Sequence, residues 1–247
     1  LKKNSFHIDI NADLGEGVGN DAQIMPFISS CSIACGGHFG NKETIRSTLN
    51  LAKKNHVKVG AHPSFPDTDN FGRKLLTLTK RELQETISAQ LNLFLEVCHS
   101  EDIEMHHVKL HGALYNYAAK DAPTADAVVE AILSTQLRPI VYVPPNSILA
   151  EKAKNLLPLW YEAFIDRRYL ENGALVSRGQ EGAVIMDANT AWKQLEGMVL
   201  SEKVMTITEN EITMKADTFC IHSDTPQALK ILEFIHQIMP QHAIQLV

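Results

Sequence analysis

His107, Lys109 and His111 alternate with Val108 and Leu110 in the segment HVKLHGALYN, residues 107–116. Read as a strand, this spacing puts a lysine and two histidines on one face and the apolar pair on the other. A charge buried without partners costs several kcal/mol, so such groups end up paired or with shifted pKa values. The polar face therefore calls for partners from other parts of the chain. Together such groups could act as acid and base, or stabilise an anion.

Matching side chains stand at the ends of other strand-like segments. FHIDINADL (6–14) carries Asn11 and Asp13, with Glu16 just beyond. CSIACGG (31–37) leads to Cys35 and His38, and VKVGAHP (57–63) to His62 and then Asp67. WYEAFID (160–166) ends in Asp166, followed by Arg167 and Arg168, and TFCIHSD (218–224) ends in His222 and Asp224. EMHHVKLHG (104–112) contains Lys109 and its flanking histidines, and PIVYVP (139–144) is the exception. In parallel α/β folds, ligands bind at the carboxyl ends of the strands. Taken singly, each residue has a plainer role: a satisfied core histidine, a helix cap at Asn41 or Asp224, a solvated Arg167, a small apolar filler at Cys35. Coincidence of the whole set at one end of separate elements is what points to a site.

Helical segments separate these strands. NKETIRSTLNLAKKNH groups Ile45, Leu49 and Ala52, and TKRELQETISAQLNLFLEVCHSED spaces Leu83, Ile87, Leu91 and Leu95 four apart. Thr79 with Glu82 forms a capping box, and Thr225-Pro226 is expected to start the last helix as N-cap and N1. The alternation predicts about seven β–α units around a parallel sheet, in one domain over residues 1–247, with a β-hairpin inserted near 204–216. Periodicity alone leaves seven or eight strands open.

Composition narrows the function classes. Net charge is −6, with 45% hydrophobic and 21% charged residues, which argues against a nucleic-acid or anionic-membrane surface. The four cysteines form no C-x-x-C pair, and neither an apolar leader segment nor a run of ~20 apolar residues is present, so a cytoplasmic protein is expected. Gly15, Gly17 and Gly19 in ADLGEGVGND match neither G-x-G-x-x-G nor G-x-x-x-x-G-K-[ST]. Asp13 and Glu16 there would repel a phosphate unless a metal lay between. A backbone cradle for ATP stays open at this loop without a motif behind it.

In this order, IDINADLGEG, SIACGGHFGN, VGAHPSFPD, FGRK, HVKLHGALYN, FIDRRYLENGALVSR and CIHSDTP resemble the LamB/YcsF family. The resemblance implies a (β/α)7-type barrel of the glycoside hydrolase and deacetylase kind. It also implies one subunit of a 5-oxoprolinase: ATP-dependent opening of 5-oxo-L-proline to L-glutamate, with ADP and phosphate released, alongside partner subunits B and C. Magnesium would accompany the ATP. Two departures stand out: Asn41 replaces a usual aspartate, and Ser223 a usual glycine. A lost base or metal ligand at residue 41 would impair activity; a lost cap would not.

For that reaction, Asp13 with Glu16 or His62 is expected to activate water. Lys109 and Arg167 would stabilise phosphate or oxyanion charge. His111 or His222 would serve the leaving nitrogen, with Asp224 orienting His222, while His38 and Asp166 complete the wall. A divalent metal would be held by Asp13, His38 and His62, which makes a metal-dependent deacetylase or amidohydrolase the second reading. A non-catalytic lactam-binding subunit is the third. Homo-oligomerisation stays open.

Overall fold

Both faces of the first strand are buried, for different reasons. In β1 (Phe6–Leu14), Ile8, Ile10, Ala12 and Leu14 are buried among apolar neighbours, while Asp9, Asn11 and Asp13 are equally buried but polar. Asn11 bonds Glu162 and Thr218, and Asp9 accepts from Ser30 and Thr218, so the odd-numbered face looks into a ring of strands. A strand buried on both faces is what a parallel barrel requires.

The computed structural model describes residues 5–247; residues 1–4 of the domain expected over 1–247 lie outside the described residues. After β1 come β2 (Ser30–Ala34), β3 (Lys58–His62), β4 (His107–Lys109), β5 (Ile140–Val143) and β6 (Leu159–Phe164). A short antiparallel pair follows, β7 (Lys203–Met205) and β8 (Glu211–Thr213), then β9 (Thr218–His222) and β10 (Ile244–Leu246). All neighbours in the order β1-β2-β3-β4-β5-β6-β9 are parallel, and β9 pairs back onto β1, closing a seven-stranded barrel. The expected (β/α)7 architecture and the hairpin at 204–216 are both present. β10 adds to the start of β1 outside the ring, and its three residues are too short for alternation to reveal.

The helices are α1 (Asp21–Ile24), α2 (Lys42–Asn55), α3 (Lys80–Ser100), α4 (Gly112–Ala118), α5 (Ala122–Ser134), α6 (Ile148–Ala153), α7 (Ala188–Ser201) and α8 (Ala228–Ile238). α2 buries Ile45, Leu49 and Ala52, and α3 buries Leu83, Ile87 and Leu91, as their periodicity predicts. Each large buried side chain contributes about 1.5–3 kcal/mol. Thr79 and Glu82 form the expected capping box. Asn41 is the N-cap of α2, accepting from the Glu43 and Thr44 amides, so its departure from aspartate costs no ligand. The start of α8 differs from expectation. It begins at Ala228, after Gln227 at φ +70, because the Thr225 hydroxyl is spent on Asp166 rather than on a cap. No described helix is long and apolar enough to cross a membrane.

Candidate active site at the barrel mouth

Lys109 sits at the end of β4 and is 2% exposed, so its ammonium must be satisfied by protein. It lies 2.9 Å from Asp13 Oδ1 and 2.8 Å from Glu162 Oε1, and donates to Asn11 Oδ1 at 3.1 Å. Burial opposes its charge, but Asp13, Cys220 and Glu162 outweigh this and hold its pKa well above the usual value. Burial likewise opposes ionisation of Asp13, and the His62 and Lys109 charges hold its carboxyl well below the usual range. Lys109 is therefore a charge locked inside the barrel. Its expected role as a phosphate partner is replaced by that of neutralising Asp13 and Glu162.

Above this layer three imidazoles gather around Glu16. His38 Nε2 is 2.9 Å, His111 Nδ1 3.2 Å and His62 Nε2 3.7 Å from Glu16 Oε1. His62 Nε2 also lies 3.4 Å from Asp13 Oδ2. All four side chains are buried. Burial opposes the Glu16 charge, but hydrogen bonds from His111 and His38 hold its carboxyl far below the usual range. Burial pushes His38 down to about 4 and lowers His111. Burial also works against the His62 cation, yet the Asp13 charge and hydrogen bond raise its pKa. The polar face of β4 thus divides. Lys109 and His111 reach this site, whereas His107 lies deeper, bonded to Ser32 and stacked on Tyr142.

The loop Phe71-Gly72-Arg73 fixes the cluster from outside. The Phe71 carbonyl accepts from His111 Nε2 at 2.9 Å, and its ring packs edge-on against His38 and His111. Gly72 has φ +61, and a Cβ there would sit 2.9 Å from His38 Cβ and 3.0 Å from His111 Cδ2.

A second unit lies at the ends of β6 and β9. His222 Nδ1 is 3.0 Å from Asp166 Oδ1, and Asp166 also accepts from the His222 amide and the Thr225 hydroxyl. Burial raises the Asp166 pKa, but the His222 charge and these hydrogen bonds lower it overall. The pairing leaves His222 Nε2 free to take a proton. Asp13, Cys220 and His222 offer donor atoms within 4.8 Å of one another, joining this pair to the histidine cluster. Asp224, expected to orient His222, does not. It bonds Arg73 Nη2 and Arg178 Nη2, each at 2.5 Å, because the chain turns away after His222. Arg167 is buried rather than solvated, and its Nη2 is spent on the Val176 carbonyl at 2.6 Å, so its expected phosphate role is not supported by its contacts.

Glu162, Thr225, Arg73 and Arg178 join the arrangement without having been singled out as site residues, and Asn11, named at the end of the first strand, is used to bond Glu162. Glu162 sits mid-strand among aromatic residues, where a lone glutamate ordinarily marks a solvated face. The glycine loop after β1 is tied down by its own contacts. The Gly15 amide is already donated to Asp21, Glu16 faces inward among histidines, and α1 is only four residues long.

A family model described as "LamB/YcsF family" matches residues 8–247. The chain belongs to the LamB/YcsF family. It is 39% identical over 248 residues to the A component of a 5-oxoprolinase from Pyrococcus abyssi, covering 98% of this chain and 97% of that one. It is 38% identical over 247 residues to the corresponding A component of a 5-oxoprolinase from Staphylococcus aureus, covering 98% and 99%. Its fold matches the crystal structure of a lactam utilization protein from Thermus thermophilus with a TM-score of 0.91 and 34% identity, covering 98% and 99% of the two chains. The Thermus thermophilus protein thus shares this barrel over essentially the whole length of both chains.

Proposed function

We propose that this LamB/YcsF protein is the ring-opening subunit of a 5-oxoprolinase, hydrolysing the lactam bond of 5-oxo-L-proline to give L-glutamate. The printed names of its relatives support a role in 5-oxoproline metabolism. The observation that carries the finer reading is the Asp166–His222 pair standing beside the Glu16, His38, His62 and His111 cluster. His222 Nε2 takes a proton from water as the oxygen bonds to the lactam carbon, and Asp166 stabilises the resulting imidazolium. The carbon–nitrogen bond then breaks and the nitrogen takes up the proton held at His222 Nε2, which restores the base.

An unactivated lactam is a resonance-stabilised amide, so coupling to ATP fits the chemistry. With the Gly15 amide committed to Asp21 and Glu16 turned inward, this reading assigns ATP consumption, with its magnesium, to partner subunits of the B and C kind. The test is glutamate release from 5-oxo-L-proline by the purified chain alone, and then with subunits B and C and ATP. Turnover that needs all three is expected. Glutamate formation by B and C without this chain would refute the proposal.

A further inference from the structure

Two buried histidines, His62 and His111, turn one nitrogen each towards the other. His62 Nδ1 meets the Lys109 carbonyl at 2.9 Å, and His111 Nε2 meets the Phe71 carbonyl at 2.9 Å. A carbonyl oxygen only accepts, so both of these nitrogens carry hydrogen. The other two nitrogens, His62 Nε2 and His111 Nδ1, stand 3.0 Å apart and both point at the same small space, which a proton on one of them or a metal ion between them must fill. Glu16 Oε1 completes a triangle at 3.7 and 3.2 Å. Three such donor atoms so close in a buried site need a proton or a metal ion among them.

We propose that this triangle binds a divalent transition-metal ion of the zinc class through Glu16 Oε1, His62 Nε2 and His111 Nδ1. The three separations bracket the roughly 3.3–3.4 Å expected between ligands that sit 2.0–2.1 Å from a tetrahedral ion. Carbonyls on the far nitrogens are the usual outer support of metal-binding histidines, fixing tautomer and ring direction. Two imidazoles and one carboxylate leave coordination positions open for water or substrate. The ion would also balance Asp13, Glu16 and Glu162, against which the interior sets the Lys109 ammonium.

His38 is not a ligand. Its ring lies flat on His111, with centroids 3.7 Å apart and planes at 5°, so the two in-plane lone pairs run side by side and cannot converge. It instead holds Glu16 from behind, Nε2 to Oε1 at 2.9 Å. This replaces the Asp13, His38 and His62 set expected from sequence, because Asp13 gathers with Cys220 and His222 whereas Glu16 is the carboxylate that gathers with His62 and His111. The ion's use in polarising the lactam oxygen rests on the ring-opening reading; its binding does not.

The full-length chain, stripped with a chelator and dialysed, is titrated with Zn²⁺ by calorimetry and with Co²⁺ by visible absorption. One equivalent of each, with a Co²⁺ band typical of nitrogen–oxygen coordination, is expected. His111→Gln should abolish binding, and His38→Gln should weaken it by about 10–100-fold, as for an outer-shell residue. A folded wild-type chain that takes up neither ion would overturn the site and leave a shared proton as what separates the two histidines. Loss of binding as complete in His38→Gln as in His111→Gln would overturn the ligand assignment. Glutamate release by the reconstituted complex is measured separately. Full turnover after metal removal overturns the ion's role alone, and tight binding without turnover overturns the ring-opening reading alone.

Discussion

The Lys109 ammonium lies 2.8 Å from Glu162 Oε1, joining β4 to β6 across the inside of the barrel. Both groups are almost wholly buried, so neither is a spare charge waiting for substrate. Removing one partner of such a pair strands the other and costs about 3–5 kcal/mol. Lys109→Met is therefore expected to lower the melting temperature by roughly 6–20 °C, at about 2–4 °C per kcal/mol for a chain of this size. Combining it with Glu162→Gln should cost clearly less than the sum of the two single changes. Additive losses in thermal denaturation would show that the pair is not coupled.

Asp166 and Asp224 make opposite predictions about His222. Asp166→Asn removes the negative charge and puts an NH2 donor where the carboxylate now accepts from His222 and Thr225, and it should lower kcat of the reconstituted complex by about 100-fold or more, with KM changing little. Asp224→Asn frees Arg73 and Arg178 but leaves the His222 tautomer in place. Its kcat should stay within about tenfold of wild type. Equal losses of kcat in the two variants would contradict the pairing described.

The same logic of burial against partners gives two aspartates opposite pH slopes. Burial raises the pKa of Asp9 above its usual 3.8, despite hydrogen bonds from Thr218 and Ser30. Its folded state binds protons more tightly than the unfolded chain, so its contribution is fully present below 3.8 and is lost as pH rises through the folded value. For Asp224, burial is outweighed by the Arg178 charge and by hydrogen bonds from Arg73 and Arg178, which lower its pKa below 3.8. That contribution is present above 3.8 and is lost as pH falls through the folded value. Melting temperatures of wild type minus Asp9→Asn should fall as pH rises above about 4, and those of wild type minus Asp224→Asn should rise towards about pH 4 and then level. Parallel slopes would show that one of the two environments is misdescribed.

Gly72 and Gly173 both have positive φ, +61 and +80, but only Gly72 has neighbours where a Cβ would go. Alanine at either position carries the left-handed backbone penalty, about 1–2 kcal/mol. Gly72→Ala should in addition push on His38 and His111 and reduce turnover of the complex by at least about tenfold, since small displacements of catalytic groups are costly. Gly173→Ala should lose stability and keep turnover. Steady-state kinetics on the two variants, prepared in parallel, separates them.

Much of the barrel was legible because strand and helix periods differ, and because reactive side chains end six of the seven ring segments. FHIDINADL coincides with β1 residue for residue. What escaped is what depends on the third dimension. Thr225-Pro226 has the composition of a helix start, yet the threonine hydroxyl is drawn to Asp166, fifty-nine positions away in sequence. Asp224 and Asp166 are equally plausible partners for His222 on paper, and only the turn after β9 decides between them. Glu162 carries no local signal at all; its role exists only because Lys109 and Asn11 face it across the ring. The FGRK segment is legible as a family block, but its work is done by the Phe71 carbonyl, which a sequence does not display.

The central claim is that the lactam opens at the mouth of this barrel. Its most direct test is glutamate release per ATP hydrolysed by the complex of all three subunits, with this chain carrying His222→Gln and assembly checked by size-exclusion chromatography. The account predicts an assembled complex whose glutamate yield falls by about 100-fold or more, as for loss of a group acting at the reacting centre. An assembled complex that still opens the ring within about twofold of the wild-type rate would contradict it.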